Sequence, residues 1–270
     1  SGRPGSNDLA VPDTWDPARY ARFAAERRQP FDDLLTLLQP CPGGRVVDLG
    51  CGGGELTVEL HAALGAAETV GVDASPAMLA SAAGRAGHGV QFRAGDLATW
   101  AAGPVDVIAA NASLHWVDGH PALLRRLAGQ LAPGGQLAFQ VPANFDHPSH
   151  RIAHELADSP RWAGRFDGGP PPTRAGWVLP PERYAEVLDG LGLVDLHVRL
   201  QVYGHHLDGA EAVVEWVQGT LLTPFAARLR PDDYTAFVDE YRSRLLQALG
   251  ARRPYFYAFK RILARARRSG

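Results

Sequence analysis

Asp48 and the glycines after it are the first residues in this chain whose types and spacing can do chemistry. Arg45 to Glu55 reads R-V-V-D-L-G-C-G-G-G-E. Glycine has no Cβ, so a backbone of this composition can turn sharply and approach a ligand closely. A dinucleotide fingerprint requires G-x-G-x-x-G. Counted from Gly50, its last position falls on Glu55, so that pattern fails. What stands is D-x-G-x-G-x-G, from Asp48 through Gly50 and Gly52 to Gly54. A carboxylate here would repel a pyrophosphate and would suit a ligand with a cationic amino-acid end. Asp73 lies 25 residues beyond Asp48 and closes the run E-T-V-G-V-D. An acid at such a strand tip can accept hydrogen bonds from both hydroxyls of a ribose. Asp96, in G-D-L, can accept from an adenine amino group while Leu97 packs on the ring. The loop N-A-S-L-H-W, Asn111 to Trp116, offers His115 and Trp116 as contacts for a second reactant.

These groups together describe a nucleoside that carries an ammonium beside a cationic centre. S-adenosyl-L-methionine has that form, and S-adenosyl-L-homocysteine would be its product. The contacts these residues suggest for it are Asp48, Gly50, Gly52, Gly54, Asp73, Asp96 and Leu97.

The elements that must position these residues follow from periodicity. Val46, Val47 and Leu49 form a short apolar run suited to a strand buried on both faces. Leu56, Leu60, Ala63 and Leu64 then recur at helical spacing. Strands are expected at Glu68–Asp73, Val90–Arg93, Val105–Ala110 and Gln136–Val141. Between them lie a helix with Met78, Leu79 and Ala82 inward, capped by Asp73 or Ser75, and a helix over His120–Leu131. This alternation predicts a doubly wound, mostly parallel α/β sheet with right-handed crossovers. Ahead of it, Trp15–Gln29 predicts a lid helix started by Asp16 and Pro17, and Pro30–Gln39 a second helix. Arg27 and Arg28 end the lid, where a guanidinium fork can clamp a carboxylate. Beyond Pro142 the order breaks. The expected domains are lid helices at 1–39, a donor-binding core at 40–142, a cap insertion at 143–180, and 181–270 completing the sheet. A further helical insertion is expected at 208–250.

Composition narrows the function class. The chain has 270 residues, a formal charge of −2, and 46% hydrophobic residues, enough for a sizeable core. Lys260 is the sole lysine. No global basic field points to nucleic acid. Cys41 and Cys51 form no metal-type spacing, so no metal and a reducing, cytoplasmic setting are expected. No run is long and apolar enough to predict a membrane span. The expected partner is a small-molecule substrate, in a monomer or homodimer.

D-L-G-C-G-G-G, G-V-D-A-S-P-A-M-L and N-A-S-L-H-W resemble the class I S-adenosylmethionine-dependent methyltransferases. W-D-P-A-R-Y-A-R-F, Q-V-P-A-N-F-D-H-P-S-H, Y-G-H-H-L and E-W-V-Q-G-T extend the likeness to their trans-aconitate methyltransferase branch. The resemblance implies a seven-stranded Rossmann-like methyltransferase sheet with N-terminal lid helices and a helical cap, and adds Ala74, Met78 and Asn111 to the expected donor contacts. It also implies esterification of a carboxylate of a small polycarboxylic acid. The substrate-side candidates are Arg27, Arg28, His115, Trp116, Tyr203 and His205. The family pattern is Arg-x-Arg-Pro at the lid end, where this chain has Arg27, Arg28, Gln29 and Pro30. A tailoring methyltransferase acting on a hydroxyl or carbon, and a donor-binding protein without turnover, are the alternatives the residues leave open.

Overall fold

The structure, a computed structural model, describes residues 24–101 and 103–270, with side chains from Arg28 onward. The expected lid helix before Ala24 lies outside the described residues. α1 (Ala24–Leu37) is continuous through Pro30, where the sequence suggested a break between two helices. A proline inside a helix removes one backbone bond and costs about 3 kcal/mol. Burial of Phe31, Leu34 and Leu38, all under 9% exposed, offsets it.

The chain then alternates as β1 (Arg45–Leu49), α2 (Glu55–Leu64), β2 (Glu68–Asp73), α3 (Pro76–Ala82), β3 (Val90–Ala94), β4 (Val105–Asn111), α4 (His120–Ala128) and β5 (Leu131–Pro142). β5 begins at Leu131, five residues before the expected Gln136, because Leu131 already pairs with Val105 across a register shift. After it come α5 (Pro148–Ala157), α6 (Pro181–Gly190), β6 (Leu193–Leu207), α7 (Glu211–Gln218), α8 (Thr223–Ala226), α9 (Pro231–Leu249) and β7 (Tyr255–Arg268).

The sheet has seven strands in the order β3-β2-β1-β4-β5-β7-β6. β1 to β5 pair in parallel, and β7 runs antiparallel to β5. Strand order reverses between β1 and β4, so the carboxyl ends of these two strands flank the crevice where α/β sheets bind ligands. On one face Val46, Val107, Ala109, Ala138 and Leu263 pack under α1 and α2. On the other, Leu49, Ile108, Leu137 and Phe139 pack with α4 and α6.

The chain forms two compact units. The sheet unit comprises the described chain up to Asp146, Thr173–His206 and Phe256–Gly270. The second comprises His147–Pro172, which lies within the expected 143–180 insertion, and Leu207–Tyr255, which extends past the expected 208–250 insertion at both ends. It has its own aromatic core, with Phe225 stacked on Phe237 and Trp162 edge-on to Phe237. The Trp162 indole donates to Glu240 at 2.9 Å, and the Tyr241 hydroxyl donates to the Ser149 carbonyl at 2.8 Å. Among the described residues no helix is long and apolar enough to cross a membrane, and no cluster suits a metal ion.

Candidate functional site

The glycine turn after β1 is laced to both neighbouring strands. The Gly50 and Cys51 amides donate to the Val72 carbonyl at 2.7 and 3.1 Å. Gly50 has φ +77°, and a Cβ there would stand 2.3 Å from Ser113 Cβ. Ser113, in the loop after β4, in turn donates its hydroxyl to the Leu49 carbonyl. Only glycine permits this closeness. Gly52 differs: φ is +55°, yet an added Cβ would meet nothing within 4 Å. The turn is therefore packed at Gly50 and open at Gly52. Gly54, also left-handed, starts α2 without a side-chain cap.

Asp73, at the tip of β2, holds this turn. Its Oδ2 accepts from the Gly52 amide and its Oδ1 from the Ser75 amide, each at 2.9 Å. Each carboxylate oxygen retains acceptor capacity for a ligand hydroxyl. The cap of α3 is Ser75, whose Oγ accepts from the Met78 amide, so Asp73 is released from that role. Asp48 does not line the turn as its place in the motif suggested. It is the fourth residue of β1, 5% exposed, and accepts the Thr57 hydroxyl at 2.6 Å. Burial pushes its carboxyl up to about 6; the Thr57 hydrogen bond opposes this and the nearby Asp73 charge adds to it. Burial likewise pushes the Cys51 thiol far up, which rules it out as a nucleophile at neutral pH.

The Asp48 shift has a measurable consequence. A carboxyl whose folded pKa is raised stabilises the fold below its unfolded pKa, and that contribution is lost as pH rises through about 6. Asn cannot titrate and still accepts from Thr57. In donor-free protein, Asp48→Asn should gain about 2 kcal/mol on wild type between about pH 4.5 and about pH 8, read by urea unfolding. Parallel stability curves would show that Asp48 ionises normally.

The remaining donor-side candidates fall around the same crevice end. Ala74 is exposed and Met78 half-buried, both at the start of α3. Asp96 is exposed and accepts from the Ala98 amide at 2.8 Å, while Leu97 joins the core. The Leu97 carbonyl takes Arg126 Nη2 at 2.7 Å, which pins this loop to α4. Asn111 closes β4, and its Oδ1 accepts from Gln140 Nε2 at 2.7 Å.

The substrate-side candidates divide. His115 and Trp116 share a tight turn after β4, with ring centroids 5.0 Å apart. Arg174 lies over Trp116 at 3.9 Å and near Trp177 at 5.7 Å. Tyr203, on β6, is 3% exposed and donates its hydroxyl to Asp33 of α1 at 2.6 Å. Burial first, then that hydrogen bond, pushes the Tyr203 hydroxyl up, against the nearby charges of Arg261 and Arg199. His205 lies half-buried two residues along β6. Arg28 is exposed, and its fork is engaged by Glu59 at 2.5 Å and Asp32 at 2.7 Å. The Arg27 side chain lies outside the described residues.

Arg174, Arg199, Arg261 and Gln140 were not singled out from sequence. Arg174 stands in a Gly/Pro-rich loop with no periodic signal. Gln140 did carry one: it is the polar residue within the apolar run L-A-F-Q-V of β5.

The site fits S-adenosylmethionine on the structure's own terms. Gly52 faces open space, Asp73 beside it retains acceptor capacity for hydroxyls, and the carboxylates of Asp48 and Asp73 favour a cationic ligand.

Comparison with known proteins agrees. The family model described as a methyltransferase domain matches residues 20–198. The chain is 42% identical to the trans-aconitate 2-methyltransferase of Deinococcus radiodurans, over 93% of this chain and 96% of that one. It is 43% identical to the enzyme of the same name from Streptomyces avermitilis, over 94% and 97%. Among solved structures, the YcgJ protein of Bacillus subtilis shares the fold at a TM-score of 0.61 and 13% identity, covering 90% of this chain and 99% of that one. A Haemonchus contortus phosphoethanolamine N-methyltransferase, solved with S-adenosyl-L-methionine, does so at 0.53 and 17%, covering 90% and 53%. The glycine turn, the acid at the tip of β2 and near-full-length likeness to these relatives converge: the chain belongs to the S-adenosylmethionine-dependent methyltransferases.

Proposed function

We propose that this methyltransferase esterifies a carboxylate of a small polycarboxylic acid, trans-aconitate. The observation that carries the reading is the arginines of the sheet unit: Arg174 over Trp116 in the turn after β4, Arg261 paired with Pro142 at the end of β5, and the charges of Arg199 and Arg261 acting on Tyr203. The name of the relatives at about 40% identity supports it. Guanidinium groups match carboxylates in shape and charge.

The bound donor supplies a methyl group on a cationic sulfur. Gly50, Gly52 and Asp73 would hold the donor, with Asp48 favouring its cationic end. An acceptor carboxylate is ionised at neutral pH, since its pKa lies near about 4. The protein therefore has no proton to remove from it. Its tasks are to align the oxygen with the methyl group and to exclude water. Arginines that grip the non-reacting carboxylates do the first.

A methyl-transfer assay with radiolabelled donor across trans-aconitate, related di- and tricarboxylates and hydroxylated scaffolds tests the reading. Turnover on the acids is expected; turnover confined to the hydroxylated scaffolds would overturn it. Within that assay, Arg174→Met should raise the KM for the acid roughly 10- to 100-fold, the loss of one charge-assisted contact of about 1.5–3 kcal/mol. Donor affinity should stay put. An unchanged KM would remove Arg174 from the acceptor pocket.

A further inference from the structure

We propose that Gln140 and Arg261 are positioning residues. They hold the Asn111 amide so that its N–H groups, and not its oxygen, face an acceptor at the end of β4. The acceptor this selects is a carboxylate; an amine is disfavoured. The inference rests on the carboxylate reading above and identifies the group that discriminates the acceptor.

The orientation follows from what each group can donate. Arg261 is 7% exposed and Gln140 1% exposed, so their bonds are made away from water. A guanidinium has no acceptor. Arg261 Nη1, at 2.9 Å from the Gln140 amide, must therefore meet Oε1. The Gln140 NH2 is thereby turned the other way, and it donates to Asn111 Oδ1 at 2.7 Å. With Oδ1 turned to Gln140, the Asn111 NH2 points away from it. Neither amide has a free choice of flip.

The backbone reinforces this corner. Asn111 and Gln140 are register partners, and the Ala112 amide donates to the Gln140 carbonyl at 3.0 Å. Ala112 has φ +53°, a conformation rare for residues other than glycine and typical of constrained functional positions. Alternation along the strands puts Asn111 on the same face as Val107 and Ala109, and Gln140 on that of Ala138. α1 covers that face, and Tyr203, hydrogen-bonded to Asp33 of α1, feels the Arg261 and Arg199 charges.

The chemistry is selective. A carboxylate oxygen can accept from the Asn111 NH2. An amine awaiting methylation needs oxygen acceptors for its own N–H groups. Facing another NH2 it would be left unpaired, and sites built with the wrong hydrogen-bonding partner discriminate strongly.

Gln140→Glu tests this in the full-length protein. Glutamate still pairs with Arg261, but its second oxygen now faces Asn111 Oδ1. The Asn111 amide must turn over and present its oxygen outward. The expected result is a rise of at least about tenfold in the KM for trans-aconitate, with kcat changed less and the donor dissociation constant within about twofold of wild type. Asn111→Asp, which leaves Gln140 and Arg261 intact and puts oxygens at the same place, should do the same. An unchanged KM in both variants overturns the proposal. So does a loss of donor binding with the acceptor KM preserved, which would assign the corner to the donor. Wild-type enzyme that binds the donor and methylates only non-carboxylate acceptors would instead overturn the carboxylate reading itself, and is seen before any variant is made.

Discussion

Replacing Asp73 with alanine should weaken binding of S-adenosylmethionine by about 2–3 kcal/mol, roughly 30- to 150-fold in dissociation constant, with the fold retained. Asp73 accepts from the Gly52 and Ser75 amides and so ties the open part of the glycine turn to the start of α3. We propose its remaining lone pairs as the acceptors for the ribose hydroxyls. Alanine removes both functions: the hydroxyls lose a charged acceptor, and the Gly52 amide loses the bond that ties the turn to β2. The helix itself should survive, because Ser75 caps it. Calorimetric titration with the donor reads the effect directly. Affinity equal to wild type would leave Asp73 as a structural tie alone.

Gly50→Ala should cost about 3–5 kcal/mol of folding stability, enough to unfold a marginal domain. The left-handed backbone at +77° contributes about 1–2 kcal/mol of that. The rest comes from a Cβ built 2.3 Å from Ser113 Cβ, which cannot be relieved without separating the β1 turn from the β4 loop. Gly52→Ala is the informative contrast. Its left-handed backbone costs about 1–2 kcal/mol in the same way, but its methyl group meets nothing within 4 Å. Stability should fall only by that amount while donor affinity falls further, because the methyl group enters the space the turn leaves open. Urea unfolding and donor titration on both variants separate the cases. Equal stability losses at the two positions would show that the turn is not clasped as described.

These positions also show how far the amino-acid order reaches. The D-x-G-x-G-x-G turn, the acid at the end of β2 and the alternation of strands and helices were legible because each depends on neighbours within a few residues. Glycine spacing, apolar periodicity and helix caps are local properties, and a mostly parallel doubly wound sheet follows from their succession. The same locality explains the errors. Pro30 looked like a helix boundary, yet burial of Phe31, Leu34 and Leu38 carries α1 through it. The fifth strand was expected to begin at Gln136, yet pairing with Val105 draws Leu131 into β5.

The electrostatic state and orientation of the site belong to the tertiary structure alone. Asp48 is raised toward neutrality because β1 is buried inside the sheet, which its own motif does not encode. Arg261 reaches Gln140 across 121 positions, and Tyr203 reaches Asp33 across 170. Arg174 meets Trp116 from a loop without periodicity. Hydrogen bonds and cation–π contacts are short-range, so partners distant in sequence become visible only once the sheet has brought them together. The chain's order of residues thus determined the glycine turn and the acid that ties it, and folding decided how the Asn111 and Tyr203 side chains are held.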